Sequence, residues 1–73
     1  MSSFLASLQN VVDKIRAAAD RRDWERTHFL EDALMVNVLE HIRDGHCEDM
    51  EEARECARIA LEARKIASRR WYA

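Results

Sequence analysis

One stretch in the middle of the chain decides the fold: Trp24-Glu25-Arg26-Thr27-His28-Phe29-Leu30-Glu31-Asp32. At a helical period, His28 and Glu31 fall on the same face as an apolar stripe that continues beyond this stretch. The stripe consists of Trp24, Leu34, Met35, Val38, Leu39 and Ile42. Because a helix normally buries such a face, the pattern predicts a central helix with polar groups in or beside the core.

Apolar side chains recur at three- and four-residue spacing before and after this stretch, which indicates two further helices. The chain has no proline and a single glycine, Gly45, a composition that favours long helices and disfavours β-hairpins. Loops of about four residues favour antiparallel neighbours. We therefore predict a single all-α domain, residues 1–73, folded as an antiparallel three-helix bundle with helices at about 3–19, 24–44 and 49–69.

The ends and faces of these helices are also readable. Asp23 is a good N-cap, Gly45 a left-handed C-cap, and Asp49 with Glu52 a capping-box-like start. The third helix has a seam of small residues that suits a bulky neighbour, and larger Met50, Ile59, Leu61 and Ile66 flank that seam. We expect that seam to face inward, and it comprises Ala53, Cys56, Ala57, Ala60, Ala63 and Ala67.

Two surfaces are candidate interfaces. Phe29 and Val36 lie towards the side of the central helix that is opposite the apolar stripe. A helix that is apolar on two sides is usually packed between neighbouring helices or bound by a partner. A chain of 73 residues is short for a stable monomer, so self-association or a dimer with a swapped first helix is an open alternative. The second surface is acidic, which is ordinarily solvated but also suits a basic partner, and it comprises Glu40, Asp44, Glu48, Asp49, Glu51, Glu52 and Glu55.

The polar cluster of the central helix consists of Trp24, His28, Glu31 and Asp32. A carboxylate three or four residues from a histidine reaches the imidazole, which allows acid–base chemistry or metal binding. Against a di-metal site, the Glu-x-x-His spacing occurs once, whereas such sites use two copies. We expect a structural or partner-binding cluster, with His28 and Glu31 satisfied by each other, by Arg64 or Arg69, or by Trp71 and Tyr72.

A smaller cluster near the end of the same helix contains His41, His46 and Cys47. Two histidines and one cysteine without a fourth ligand make a weak case for zinc. Cys56 has the features of a small core residue. We predict no metal ligand, no cofactor and no catalytic residue, and two unpatterned cysteines fit a reducing compartment rather than a disulfide framework.

The C-terminal tail combines cations with aromatic rings, a combination that binds nucleic acid by charge and stacking. The candidate contacts are Arg69, Arg70, Trp71 and Tyr72. The net charge of −2 disfavours nucleic-acid binding, which is typical of basic proteins. No apolar run approaches the length of a membrane span, so we expect no membrane partner and a cytoplasmic protein.

Part of the sequence resembles a group of small helical proteins encoded by phages and prophages. The pattern is Asp23-Trp24-Glu25-x-x-His28-x-Leu30-Glu31-Asp32-x-Leu34, then Val38-Leu39-x-x-Ile42, with a terminal Arg70-Trp71-Tyr72-Ala73. The resemblance covers residues 23–73 and leaves the first helix outside. It implies a role in the host cytoplasm and binding or inhibition of a host or phage protein. We therefore expect a non-enzymatic protein-interaction module, with the acid–base or metal site and nucleic-acid binding as alternatives.

Overall fold

A computed structural model describes residues 3–68 of the chain. It contains three helices: α1 (Ser3–Asp20), α2 (Trp24–Arg43) and α3 (Met50–Ala67). All three pairs of helices are in contact, so the described residues form an all-α three-helix bundle. The predicted helices and their bounds are confirmed to within two residues, while the antiparallel order and a dimer stay predictions.

The core lies between the three helices and is built from small and branched side chains. α1 and α3 contribute most of it, and Phe4, Leu30 and Met35 pack against its edge. The core itself consists of Leu8, Val12, Ile15, Ala19, Leu34, Val38, Cys56, Ile59, Ala60, Ala63 and Ile66. Ala60 and Ala63 of α3 lie in this core, where their small side chains leave room for the neighbouring helices.

The predicted N-caps are confirmed. The Asp23 carboxylate accepts a hydrogen bond from the backbone N–H of Arg26 at 3.2 Å. At the start of α3, Asp49 accepts from the Glu52 N–H at 2.9 Å, and the Glu52 carboxylate accepts from the Glu48 N–H at 3.0 Å. These bonds satisfy N–H groups that a helix start otherwise leaves without a partner.

The first two helices end in the same way. After α2, Gly45 has φ +74°, and the N–H groups of Gly45 and His46 donate back to Ile42 and His41 at 3.1 Å each. This is a Schellman motif, and it confirms the left-handed C-cap predicted at Gly45. After α1, Arg22 occupies the equivalent position with φ +61°, although it is not a glycine.

The buried faces predicted for α2 and α3 were wrong in part. Leu39 is 64% exposed and Ile42 is 39% exposed, because the buried line of α2 runs through Leu34 and Val38 instead. Leu39 follows Val38 by one residue, which turns its side chain about 100° away from the core.

On α3, Ala57 is exposed, whereas Ile59 and Ile66, expected at the flanks, are buried. This helix contacts both of its neighbours, so its buried face is broader than one seam and centres on the Cys56–Ala63 line.

Candidate functional site

A pocket on one side of the bundle gathers three of the four residues of the predicted polar cluster. His28, Glu31 and Asp32 project from the first half of α2. They meet Arg64 near the end of α3, together with Ala67 and Ser68. Trp24, the fourth member, is half-buried and packs against the hydrophobic core. Of the neighbours that the sequence offers as alternatives for His28 and Glu31, Arg64 is the one within residues 3–68, and it lines this pocket.

Glu31 is the charged side chain that the fold buries within residues 3–68, with 7% of its surface exposed. Burial raises the pKa of the Glu31 carboxyl, and a hydrogen bond with Asp32 and the charge of Asp32 add to the rise. The charges of Arg64 and His28 lower this pKa and oppose the effect in part. The pocket thus holds a carboxyl that takes up a proton more readily than an exposed glutamate.

The outward face of α2 is apolar in its middle. Phe29 is 67% exposed and Val36 is 53% exposed, with exposed Ala33 between them on the same helical stripe. Exposed Arg26 and Glu40 lie at the two ends of this stripe. A shallow depression lined by Asp23, Glu25, Arg26 and Phe29 adjoins its first end. We call Arg26, Phe29, Ala33, Val36 and Glu40 the α2 stripe.

Arginines accompany several residues of the predicted acidic surface. The Arg43 side chain donates to Asp44 at 2.8 Å and 3.2 Å, and this contact holds the pKa of Asp44 below its ordinary value. Arg58 lies 2.9 Å from Glu55. Weaker pairs at 4.0 Å join Arg43 to Glu40 and Arg54 to Glu51, so much of the charge of this surface is balanced locally.

Glu52 belongs to the same acidic segment but points towards the bundle. Its side chain is 10% exposed, and Oε2 lies 3.7 Å from His41 Nε2. The side-chain ligand atoms of His41, Cys47 and Glu52 all lie within 4.8 Å of one another. Glu52 is the site residue that sequence reasoning missed here, although its capping-box position was a usable sign that the side chain turns back over the loop.

The His41 ring is held in place by packing, but one of its nitrogen atoms has no hydrogen-bond partner within residues 3–68. Phe4 of α1 stacks on it with ring centroids 3.7 Å apart and an interplanar angle of 4°. Its Nε2 atom is buried and has no hydrogen-bond partner in the part of the chain that the structure describes. His46 lies nearby, with a centroid distance of 5.6 Å. The predicted proximity of His41, His46 and Cys47 is therefore present, with Glu52 added to it.

Cys56 lies beneath this group and is buried, as the sequence indicates. Burial raises the pKa of its thiol, and interactions with nearby Cys47 and Glu52 contribute. Such a thiol stays protonated and is a poor nucleophile.

The predicted tail contacts lie outside the described residues. These are Arg69, Arg70, Trp71 and Tyr72, together with the expected approach of Trp71 or Tyr72 to His28 and Glu31. Both expectations stay predictions.

Known proteins give no further guide to the function. Comparison with family models, curated proteins and solved structures gives no match to this chain. Within residues 3–68, none of the helices is long and apolar enough to cross a membrane.

Proposed function

We propose that this protein is a non-enzymatic protein-interaction module that binds through the α2 stripe. The observation that carries the proposal is the exposure of Phe29 and Val36 on the side of α2 that faces away from the core. An exposed apolar stripe that is bordered by charges is a feature of protein interaction surfaces. The first occupant that we propose is a second copy of the same chain.

The order of residues along the stripe supports this occupant. Arg26, Phe29, Ala33, Val36 and Glu40 follow one another at alternating spacings of three and four residues, which is the spacing of a seam between two helices. Ala33 is small and stands at the centre, so two copies of α2 can approach closely there.

Charge supports it further. Arg26 precedes Ala33 by seven residues and Glu40 follows it by seven, which places opposite charges symmetrically about the centre. When two copies of α2 pair in opposite directions about Ala33, Arg26 of each faces Glu40 of the other. Such a surface is complementary to itself, as a two-fold interface requires.

The test is the mass of the full chain in solution, measured by size-exclusion chromatography with light scattering over a range of concentrations. We expect a dimer for the wild type and a monomer for Val36→Glu. Leu61→Glu is the matched control, because Leu61 is 63% exposed on α3 and lies off the stripe. We expect it to remain a dimer.

A charge exchange tests the pairing itself. Arg26→Glu alone and Glu40→Arg alone place like charges opposite each other and weaken the dimer. The double variant restores opposite charges and should recover it. A wild-type chain that stays monomeric, or a double variant no better than the single ones, would contradict the proposed pairing.

The resemblance to phage and prophage proteins favours a biological role as a binder or inhibitor of a host or phage protein in the host cytoplasm. That role rests on the resemblance in residues 23–73 alone.

A second candidate function is acid–base chemistry at the pocket of His28, Glu31 and Asp32. The observation that favours it is the buried Glu31 carboxyl with a raised pKa beside an imidazole in an open pocket. A group kept there for function reduces stability, so Glu31→Gln should raise the thermal midpoint at about pH 7 and leave it nearly unchanged at about pH 4.

A further inference from the structure

We propose that His41, Cys47 and Glu52 bind a zinc ion at the end of the bundle where α2 ends and α3 begins. The site is independent of the α2 stripe and of the pocket at Glu31. It joins three segments of the chain: the last turn of α2, the loop that follows it, and the first turn of α3.

The donor atoms identify the class of metal. An imidazole nitrogen, a thiolate and a carboxylate oxygen are the three protein ligands that zinc accepts, usually in tetrahedral geometry. Thiolate is too soft a ligand for magnesium or calcium, which prefer oxygen ligands. Three protein ligands leave a fourth position for water.

The distances are close to those that zinc requires. In a tetrahedral site with bonds of about 2.0–2.3 Å, ligand atoms lie roughly 3.3–3.8 Å apart. The His41 Nε2 to Glu52 Oε2 distance is already 3.7 Å, and all three ligand atoms lie within 4.8 Å. Cys47 lies in the loop between α2 and α3 and is partly exposed, so it can close the remaining gap of roughly 1 Å.

The unpartnered His41 nitrogen is the independent sign of a ligand. A buried nitrogen without a hydrogen bond is unfavourable, and Nε2 is buried with the Glu52 carboxylate as a near neighbour. The two are too far apart for a hydrogen bond, at 3.7 Å. A cation between them would satisfy the imidazole lone pair and the carboxylate together.

Neighbouring groups hold two of the three proposed ligands in place. The backbone N–H of Glu48 donates to Glu52 Oε2, and Phe4 fixes the plane of the His41 ring. Cys56 lies next to Cys47 and is buried in the core, and it is not among the three side chains whose ligand atoms lie together.

The experiment uses the full chain, purified without a histidine tag, freed of metal and kept reduced. Co²⁺ is the first probe, because a Cys-ligated tetrahedral cobalt shows a thiolate-to-cobalt charge-transfer band. We expect this band to saturate at one Co²⁺ per chain and to disappear when Zn²⁺ displaces the cobalt. A chain that shows no such band, or binds Co²⁺ without thiolate ligation, overturns the proposal.

Matched variants locate the site. Cys47→Ser should abolish the band, and Glu52→Gln, which keeps an oxygen for the Glu48 N–H, should weaken Zn²⁺ binding by at least about tenfold. His41→Phe should abolish binding while keeping a flat ring on Phe4, and circular dichroism of each variant establishes that the helices remain.

The controls are Glu51→Gln and His46→Asn, which remove an exposed carboxylate and a histidine beside the site. Both should bind Zn²⁺ as the wild type does. If either control weakens binding as much as its counterpart at Glu52 or His41, the assigned ligands are wrong.

Discussion

At the scale of single residues, Glu31 illustrates how a buried carboxyl makes stability depend on pH. Its folded-state pKa is raised, chiefly by burial and then by Asp32, so the folded protein holds this proton more tightly than the unfolded chain does. The stability that the protonated group contributes is therefore complete below the ordinary value of 4.5. It is lost as the pH rises through the raised pKa.

The direction of this pKa shift predicts how Glu31→Gln changes the stability of the protein. The substitution removes the charge and keeps the shape, so we expect a higher thermal midpoint than wild type at about pH 7 and little difference at about pH 4. Thermal unfolding at both pH values is the measurement. Equal pH dependence in the two proteins would show that Glu31 stays paired on ionisation and would contradict its proposed role in acid–base chemistry.

Glu25→Gln serves as the control for that comparison. Glu25 is an exposed carboxylate in the first turn of α2, where its charge favours the helix. Its removal should lower the midpoint slightly at neutral pH, the opposite sign to Glu31→Gln.

Arg22 gives a second prediction at this scale. It adopts a left-handed backbone, φ +61°, at the end of α1, a conformation that costs an L-residue roughly 1–2 kcal/mol and glycine nearly nothing. The greater freedom of an unfolded glycine offsets part of the gain. We expect Arg22→Gly to raise the free energy of unfolding by about 0.5–1 kcal/mol in urea denaturation.

Arg21→Gly is the matched control for Arg22→Gly. Arg21 is the preceding exposed arginine and does not have a positive φ. Glycine should destabilise the protein there, because the unfolded chain gains freedom and no strain is relieved. An equal effect of the two substitutions would contradict the role assigned to the left-handed backbone.

At the scale of elements, the sequence predicts best what is decided locally. Asp23, Gly45 and Asp49 mark helix ends because caps depend on residues within a few positions of one another. The burial of Leu39 was predicted wrongly for a non-local reason: an apolar stripe wider than the core has edges, and only the neighbouring helices decide which edge stays exposed.

The two polar clusters show the same difference between local features, which the sequence predicts, and contacts between helices, which it does not. His28, Glu31 and Asp32 lie on consecutive turns of α2, so their proximity follows from helical geometry. The approach of Glu52 to His41 joins different helices across a loop. The capping-box spacing indicates that the Glu52 side chain turns back over the loop, but not which side chain it meets there. Packing of Phe4 on His41, 37 residues apart, is likewise a consequence of the assembled bundle.

At the scale of the whole molecule, the proposed dimer has a thermodynamic consequence. A partner that binds the folded chain and not the unfolded one raises apparent stability by mass action. A tenfold rise in concentration is worth about 1.4 kcal/mol per dimer, which we estimate to raise the thermal midpoint by about 3–6 °C for a chain of this size.

The measurement is the thermal midpoint of the wild type at several protein concentrations, with a chelator present so that metal binding does not contribute. Val36→Glu should melt at a midpoint that is independent of concentration, because it lacks the second copy. The thermal midpoint of Leu61→Glu should depend on protein concentration as that of the wild type does, since the exposed Leu61 side chain lies off the α2 stripe. A wild-type midpoint that does not move with concentration would mean that the bundle is stable as a single chain, and the exposed Phe29 and Val36 would then require a different partner.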